Sequence, residues 1–132
     1  LNTSYQYLVD LNFDILVSAL DILDINIKIV KASDYLFDGT KSELVLDMCK
    51  KLNADIYIFG EQGKNYADID AFKDKEVLPL FQSYNHPAYN QIRGAFAPYM
   101  SLFDLIFNEG HNSKKIIMSG NVNKESIMSL NR

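Results

Sequence analysis

The chain opens with apolar residues at helical spacing. Steps of three and four residues separate the members of one apolar stripe, which are Leu8, Leu11, Ile15, Ala19 and Ile22. This spacing predicts a helix over residues 3–23, with Thr3 and Gln6 as a capping box at its start. Further apolar residues beside the stripe predict that the helix is mostly buried.

A strand, a helix and a second strand are predicted next. Alternating isoleucines predict the first strand over residues 26–30, and the pair Thr40 and Glu43 marks the start of a helix over 40–53. The nearly continuous apolar run at 55–59 is typical of a parallel strand that is buried on both faces. Together these three elements predict a right-handed βαβ unit.

Shorter elements and a long loop make up the rest of the chain. The sequence predicts a short helix over 68–75 and a strand from Val77 to Gln82, which Pro79 places at a sheet edge or at a bulge. A long irregular stretch follows over 83–98, and a stretch of this length is usually functional. Two short helices are then expected, over 101–108 and 113–118.

The alternation of helices and strands defines the expected fold class. We expect an α/β fold with a small, mainly parallel sheet flanked by helices, as a fragment of a larger three-layer domain. Residues 1–120 are expected to form a single domain, and 121–132 a weakly ordered tail. Because the chain begins with Leu1 rather than methionine, we expect a preceding segment.

Charge and composition exclude several classes of function. The 132 residues carry 13 basic and 17 acidic side chains, a net charge of −4, which argues against binding to a nucleic-acid backbone. The single cysteine, Cys49, forms no intrachain disulfide and indicates the reducing cytoplasm. No apolar run approaches the ~20 residues that span a membrane. Neither histidine has further ligands at suitable spacing, so no metal site is expected.

A glycine-containing loop follows the strand predicted at 55–59. Ligands of parallel sheets bind beyond the carboxyl ends of the strands, and Gly60 and Gly63 allow a phosphate or carboxylate to approach the backbone. Tyr66 ends the loop with an aromatic face and a polar tip, which suits a sugar or a nucleobase. The alternative is a tight turn with a solvated Lys64.

A second candidate segment surrounds His86. An imidazole titrates near neutrality, so His86 is the candidate acid–base catalyst. Gln82, Tyr84 and Tyr89 are neutral donors and acceptors that suit a polyhydroxylated or amide-bearing ligand. The alternative is a histidine that holds its own loop together through the ring nitrogens.

Two charged residues lie further along this segment. Arg93 is a candidate contact for an anion, and the alternative is a salt bridge to a nearby carboxylate. Ser101 and Asp104 are explained by the cap of a helix, whose N-terminus is also a candidate anion site. A catalytic role for Asp104 is the second interpretation.

Several of these segments resemble the WbqC-like family. The resemblance is carried by Phe59-Gly-Glu-Gln-Gly-Lys-Asn-Tyr66, by Phe81-Gln-Ser-Tyr84-Asn-His86-Pro87-Ala-Tyr89-Asn-Gln91 and by the stretch from Phe96 to Gly110. It covers residues 20–120 and implies that they correspond to the C-terminal half of a protein nearly twice as long. It also marks motif positions, which include Gln62, Asn65, Ser101, Asp104 and Asn108.

The resemblance implies a function in bacterial surface-polysaccharide (O-antigen) biosynthesis. The expected reaction transfers an aminoacyl (glycyl) or similar group to a sugar, with the loop at 60–66 on the donor phosphate. Tyr84 and Tyr89 would hold the acceptor sugar or nucleotide-sugar, with His86 as general base. This chain alone is expected to be inactive, with the N-terminal half or a second copy as its partner. The sequence does not identify a cofactor.

Two alternatives to the transferase remain open. One is a non-catalytic module that binds a nucleotide-sugar or a glycan without turning it over. The other is a protein of unknown function in which loop 83–98 is structural and packs against the N-terminal half.

Overall fold

A computed structural model describes residues 4–121 and residue 127 of the chain. Its helices are α1 (Leu8–Ile22), α2 (Lys41–Lys51), α3 (Ile69–Asp74), α4 (Leu102–Glu109) and α5 (Ser113–Ser119), and its strands are β1 (Ile56–Phe59) and β2 (Leu78–Phe81). The strands pair in parallel, so the expected α/β class with a small parallel sheet is confirmed. Among the described helices, none has the length and apolar character needed to cross a membrane.

The described residues pack as two compact units. Unit 1 contains residues 4–28 and 85–121, and unit 2 contains residues 29–84. The expected single domain over 1–120 and the larger three-layer domain stay predictions. The tail expected over 121–132 lies outside the described residues, apart from Asn121 and residue 127.

Unit 2 is built on a βαβ arrangement. β1 and β2 pair in register from Ile56 opposite Leu78 to Phe59 opposite Phe81, and α3 lies between them in sequence. The predicted strand at 77–82 and the predicted helix at 68–75 are therefore confirmed with slightly shorter bounds.

Pro79 is accommodated because alternate residues of β2 face β1. The N–H groups of Leu78 and Gln82 donate to the carbonyls of Asp55 and Phe59, each at 2.8 Å. Since backbone donors alternate along a strand, the position of Pro79 faces away from β1, and its missing N–H costs no ladder hydrogen bond.

The predicted strand at 26–30 is wrong. These residues are irregular, and the parallel pair is formed by β1 and β2 instead. Alternating isoleucines favour extended backbone, but a strand also needs a neighbour to pair with, and Ile27 is largely exposed. The βαβ unit predicted around helix 40–53 is therefore corrected to one around α3.

The core of unit 2 is aromatic. Phe59 and Phe72 are almost fully buried, and their ring centroids lie 5.3 Å apart. Cys49 from α2 and Val77 complete the buried cluster, which agrees with a structural role for the cysteine. Burial raises the pKa of the Cys49 thiol, so the thiol stays protonated near neutral pH.

Gly63 is required by this core, whereas Gly60 is not. A Cβ built on Gly63 would clash with Phe59 Cβ, while one on Gly60 would meet no atom within 4 Å. Gly63→Ala is expected to lower the free energy of unfolding by about 1–3 kcal/mol, because Phe59 must move within a packed core. Chemical denaturation measures this loss. Gly60→Ala is the matched control and is expected to leave stability within about 0.5 kcal/mol. Equal stability of the two variants would contradict the packing of Gly63.

Unit 1 contains α1, α4 and α5, together with irregular backbone over residues 85–101. Ser113 at the start of α5 is fully buried, and its hydroxyl donates to the carbonyl of Leu105 in α4. The Lys114 ammonium binds the Asp24 carboxylate at 2.8 Å and so ties α5 to the end of α1. The predicted helices at 101–108 and 113–118 are confirmed.

α1 begins later and is less buried than predicted. Its first residue is Leu8 rather than a residue near Thr3, which lies outside the described residues. Ala19 is the one buried residue of the helix, and Leu8 is 70% exposed. The prediction of a mostly buried helix is therefore wrong, because an apolar stripe shows which face a helix can bury but not that a neighbour covers it.

Candidate functional site

A cleft of about 450 Å³ opens in unit 1 between the segment at 91–100 and α4. This volume lies within the ~300–1,000 Å³ typical of small-molecule sites. Its polar lining comes from Gln91, Arg93, Asp104 and Asn108, and its apolar lining includes Ile92 and Met100. The cleft thus combines amides, two opposite charges and apolar surface.

The Asp104 carboxylate organises the polar side of the cleft. Its Oδ2 accepts hydrogen bonds from the Tyr89 hydroxyl at 2.7 Å and from Gln91 Nε2 at 2.9 Å. Within the described residues no hydrogen bond reaches Oδ1. One carboxylate oxygen therefore holds the loop, and the other keeps its acceptor capacity.

Gln91 closes the loop that carries Arg93. Its Oε1 accepts from the N–H of Ala97 at 2.8 Å, and its Nε2 donates to the carbonyl of Ala97 at 3.1 Å. Gly94 adopts a φ of 74° inside this loop, a backbone conformation that disfavours side chains with a Cβ. The side-chain amide of Gln91 thus replaces a backbone pair and fixes residues 91–97 as a short closed loop.

α4 supplies the acceptors that hold the preceding backbone. Ser101 caps the helix by accepting from the N–H of Phe103, as the sequence predicts. Asn108 lies one turn after Asp104, and its Oδ1 accepts from the N–H of Ile92 at 2.9 Å. Glu109 accepts from the N–H of Asn90 at 2.9 Å. Loop and helix therefore form one hydrogen-bonded body.

His86 lies in an aromatic cluster beside this network. Its Nε2 accepts from the N–H of Tyr99 at 3.2 Å, and the two rings meet edge to face with centroids 4.8 Å apart. Tyr99 holds a φ of 61°, which is rare for an aromatic residue and costs about 1–2 kcal/mol. This geometry agrees with the alternative in which His86 holds its own loop. Its role as acid–base catalyst stays a prediction.

Tyr89 acts as a hydrogen-bond donor in the network. Loss of hydration and the hydrogen bond to Asp104 raise the pKa of its phenol above the usual value. A tyrosine with a raised pKa in the folded state stabilises the fold fully below about pH 10, where the unfolded chain ionises. This contribution is lost as the pH rises through the folded-state pKa.

Tyr89→Phe is expected to lower the free energy of unfolding by about 1 kcal/mol at pH 8, because one hydrogen bond to a carboxylate is lost. Above about pH 10 the variant should lose stability less steeply than the unaltered chain. The decline that remains comes from Cys49, Tyr57 and Tyr84, whose pKa values burial also raises. Urea denaturation at several pH values measures both effects. Tyr99→Phe is the control, since its side chain is 81% exposed, and an unchanged slope for Tyr89→Phe would contradict the network.

The other predicted residues lie in unit 2. Glu61–Asn65 form a short 3₁₀ helix, in which Asn65 Nδ2 donates to Gln62 Oε1 at 2.9 Å. Tyr66 packs edge to face on Phe59, and Gln82 is exposed at the end of β2. The ligand-binding role of this loop, of Gln82 and of Tyr84 stays a prediction.

The structure brings together part of the predicted set. Six predicted residues belong to unit 1, namely His86, Tyr89, Arg93, Ser101, Asp104 and Asn108. Arg93, Asp104 and Asn108 line the cleft, Tyr89 reaches it through its bond to Asp104, and His86 and Ser101 do not line it. Gln91 is the residue that sequence reasoning missed as a site residue, although it bonds to both Asp104 and Ala97. The sequence places Gln91 in a segment of neutral hydrogen-bond donors and acceptors. Such a segment does not show which of its side chains bond to each other.

A relative gives limited information on function. An uncharacterised protein of Mycobacterium tuberculosis is 28% identical over 101 residues, which are 76% of this chain and 44% of that protein. The chain therefore spans less than half the length of that relative. No solved structure matches the chain.

The family model gives the stronger match. It covers residues 1–116, nearly the whole chain, and describes the WbqC-like protein family. The expectation that the resemblance starts near residue 20 and is confined to the C-terminal half is therefore corrected. A match of this extent establishes that the chain belongs to the WbqC-like protein family.

Proposed function

We propose that this chain acts in bacterial surface-polysaccharide (O-antigen) biosynthesis, in the transfer of an aminoacyl or similar group to a sugar, and that the cleft of unit 1 binds the sugar. Family membership supports the biosynthetic role. The observation that carries the sugar site is the Asp104 carboxylate, which lines the cleft with one oxygen committed to Tyr89 and Gln91. Its other oxygen accepts no hydrogen bond within the described residues and is available to a ligand hydroxyl.

The lining of the cleft suits a sugar ring. Hydroxyl groups need acceptors and donors, which Asp104 and Arg93 offer. The C–H faces of a sugar need apolar contact, which Ile92 and Met100 offer at 82% and 51% exposure. Because the amide of Gln91 is fixed by Ala97, the cleft is formed before the ligand arrives, and less ordering is required on binding.

A transfer assay tests this function. The complete gene product is incubated with a nucleotide-linked amino sugar and a glycyl thioester, and mass spectrometry follows the sugar. We expect a sugar product that is heavier by one glycyl group. Absence of any acylated sugar, with folded protein and intact donor, would contradict the transferase proposal.

His86→Ala is expected to lower the rate of this transfer roughly a hundredfold, as loss of a general base does. The control is His111→Ala, because His111 is the other histidine of the chain and lies exposed after α4. If His86 only holds Tyr99, the variant instead loses stability with an unchanged rate per folded molecule. That result would remove His86 from the mechanism.

A non-catalytic sugar-binding module is the second candidate function. The observation that favours it is the degree to which the site is occupied by its own contacts, since Tyr89, Gln91 and Asn108 all bond within the loop and α4. Such a module binds a nucleotide-sugar or glycan without product formation, and Tyr89→Ala weakens the binding. The transfer assay separates the two candidates.

The place of action and the partner belong to the same proposal. We propose the cytoplasm as the compartment, supported by the single cysteine, which is free and buried. We propose a further segment of the protein or a second copy as the partner, supported by the exposed apolar residues of α1, such as Leu8 and Ile22.

A further inference from the structure

We propose that the sugar held in this cleft carries two groups of opposite charge, an amino group that binds Asp104 and a phosphate or carboxylate that binds Arg93. The inference rests on the proposed function only in taking the ligand to be a sugar. It specifies the substrate class by the charges that the cleft presents.

The two charges line the same cleft without neutralising each other. Arg93 and Asp104 both belong to its lining, yet within the described residues no Arg93 nitrogen lies within 4.0 Å of a carboxylate oxygen. The ion pairs of the described chain are Lys51 with Asp47 and Lys114 with Asp24. Each charge of the cleft is therefore available to a ligand.

Hydrogen bonds position the loop that carries Arg93 and the carboxylate of Asp104. Arg93 belongs to the loop that Gln91 and Ala97 close, and Asp104 is held by Tyr89 and Gln91. Tyr89 and Gln91 are neutral donors, so they orient the carboxylate without cancelling its charge. The cleft therefore presents one positive and one negative side chain that do not pair with each other.

A ligand with the two complementary charges gains the most from this arrangement. A guanidinium binds phosphate or carboxylate oxygens through paired N–H groups, and a carboxylate accepts from an ammonium group through a charge-assisted hydrogen bond. The hydroxyl groups of a neutral sugar can hydrogen-bond to both residues, but they bring no countercharge to either. Complementary charges therefore favour an amino sugar with an anionic substituent over a neutral sugar.

The rest of the cleft agrees with a monosaccharide of this kind. Its volume of about 450 Å³ suits a small ligand, and Ile92 and Met100 provide apolar contact for the ring between the two charged ends.

A set of ligands that differ by one group tests the inference on the unaltered chain. Isothermal titration calorimetry compares glucosamine 6-phosphate with glucose 6-phosphate, glucosamine and N-acetylglucosamine 6-phosphate. We expect glucosamine 6-phosphate to bind at least tenfold more tightly than each of the other three. Glucosaminuronic acid, in which a carboxylate replaces the phosphate-bearing carbon, is titrated as a fifth ligand. Its affinity relative to that of glucosamine 6-phosphate shows whether Arg93 prefers a carboxylate or a phosphate.

Two variants assign the groups to their residues. Arg93→Gln is expected to weaken glucosamine 6-phosphate about tenfold and to leave glucosamine unchanged. Asp104→Asn is expected to abolish the preference for glucosamine 6-phosphate over its N-acetyl form. Lys115→Gln is the control, because it removes a cation of unit 1 that does not line the cleft.

Equal affinity for all four sugars, binding of none, or binding of glucosamine 6-phosphate that survives both variants would overturn the inference. If Asp104→Asn fails to fold, the comparison of ligands on the unaltered chain decides alone. Selective binding without glycyl transfer would overturn the proposed transferase and leave this inference standing. Glycyl transfer at the same rate to sugars that lack both charged groups would overturn this inference and leave the proposed transferase standing.

Discussion

Phe72→Ala is expected to lower the free energy of unfolding by about 3–5 kcal/mol. Phe72 is fully buried in unit 2 and contacts the rings of Phe59 and Tyr57. The variant loses both the burial of an aromatic ring and the packing of its neighbours, which cannot fill the cavity completely. A loss of this size is a large part of the stability of a small protein.

Chemical denaturation measures the total loss, and hydrogen exchange locates it. The N–H groups of Leu78 and Gln82 bond to β1, so their protection should fall with the variant. Phe107→Ala is the matched control, since Phe107 is 79% exposed and its removal should change stability by less than about 0.5 kcal/mol. Similar losses for the two phenylalanines would contradict the core described here.

Asp104→Ala is expected to reduce glycyl transfer about ten- to a hundredfold, because the sugar loses a charged hydrogen-bond partner, and to loosen the loop of the cleft. The variant leaves the Tyr89 hydroxyl and Gln91 Nε2 without their shared acceptor. Hydrogen bonds to a charged group contribute about 1.5–3 kcal/mol each, and partial exposure reduces the combined loss to about 2–3 kcal/mol. Binding and stability therefore fall together.

A double-mutant cycle separates the network from a general loss of stability. Because Gln91 acts through Asp104, the stability losses of Asp104→Ala and Gln91→Ala should sum to more than the loss of the double variant. Asp21→Asn is the control, because Asp21 is an exposed carboxylate on α1. Additive losses, or a full transfer rate in folded Asp104→Ala, would contradict the central role of this carboxylate.

Local sequence signals predicted the helices near the site well. Ser101 and Gly110 bracket α4 in sequence, and the structure uses the serine hydroxyl as the cap. The run at 55–59 predicts a parallel strand, which β1 confirms, because apolar β-formers ended by a glycine leave few alternatives. Its predicted burial on both faces is wrong, since Ile58 is 54% exposed. These features depend on residues close together in the chain.

Features that depend on distant partners were predicted less well. The isoleucines at 26–30 alternate as a strand would, but the described sheet pairs β1 with β2. α1 carries an apolar stripe, but most of that stripe is not covered by the described residues. A pattern records which faces are apolar, and only the tertiary arrangement decides what lies against them.

The candidate site shows the same division. Tyr89, Asp104 and Asn108 were identified from residue type and motif, and the structure joins them in one network. The bridging role of Gln91 required the position of Ala97, six residues later, and the fold of the loop between them. No local rule predicts a side-chain amide that pairs with one particular backbone amide.

Binding of a sugar at the cleft of unit 1 is tested most directly by the amide NMR spectrum of the chain during titration with glucosamine 6-phosphate. We expect saturable shifts that are largest at the N–H groups of Ile92, Ala97 and Asn108, with the β1 amides of unit 2 unchanged. A spectrum that does not respond, or one that responds only at β1 and the loop at 60–66, would contradict it.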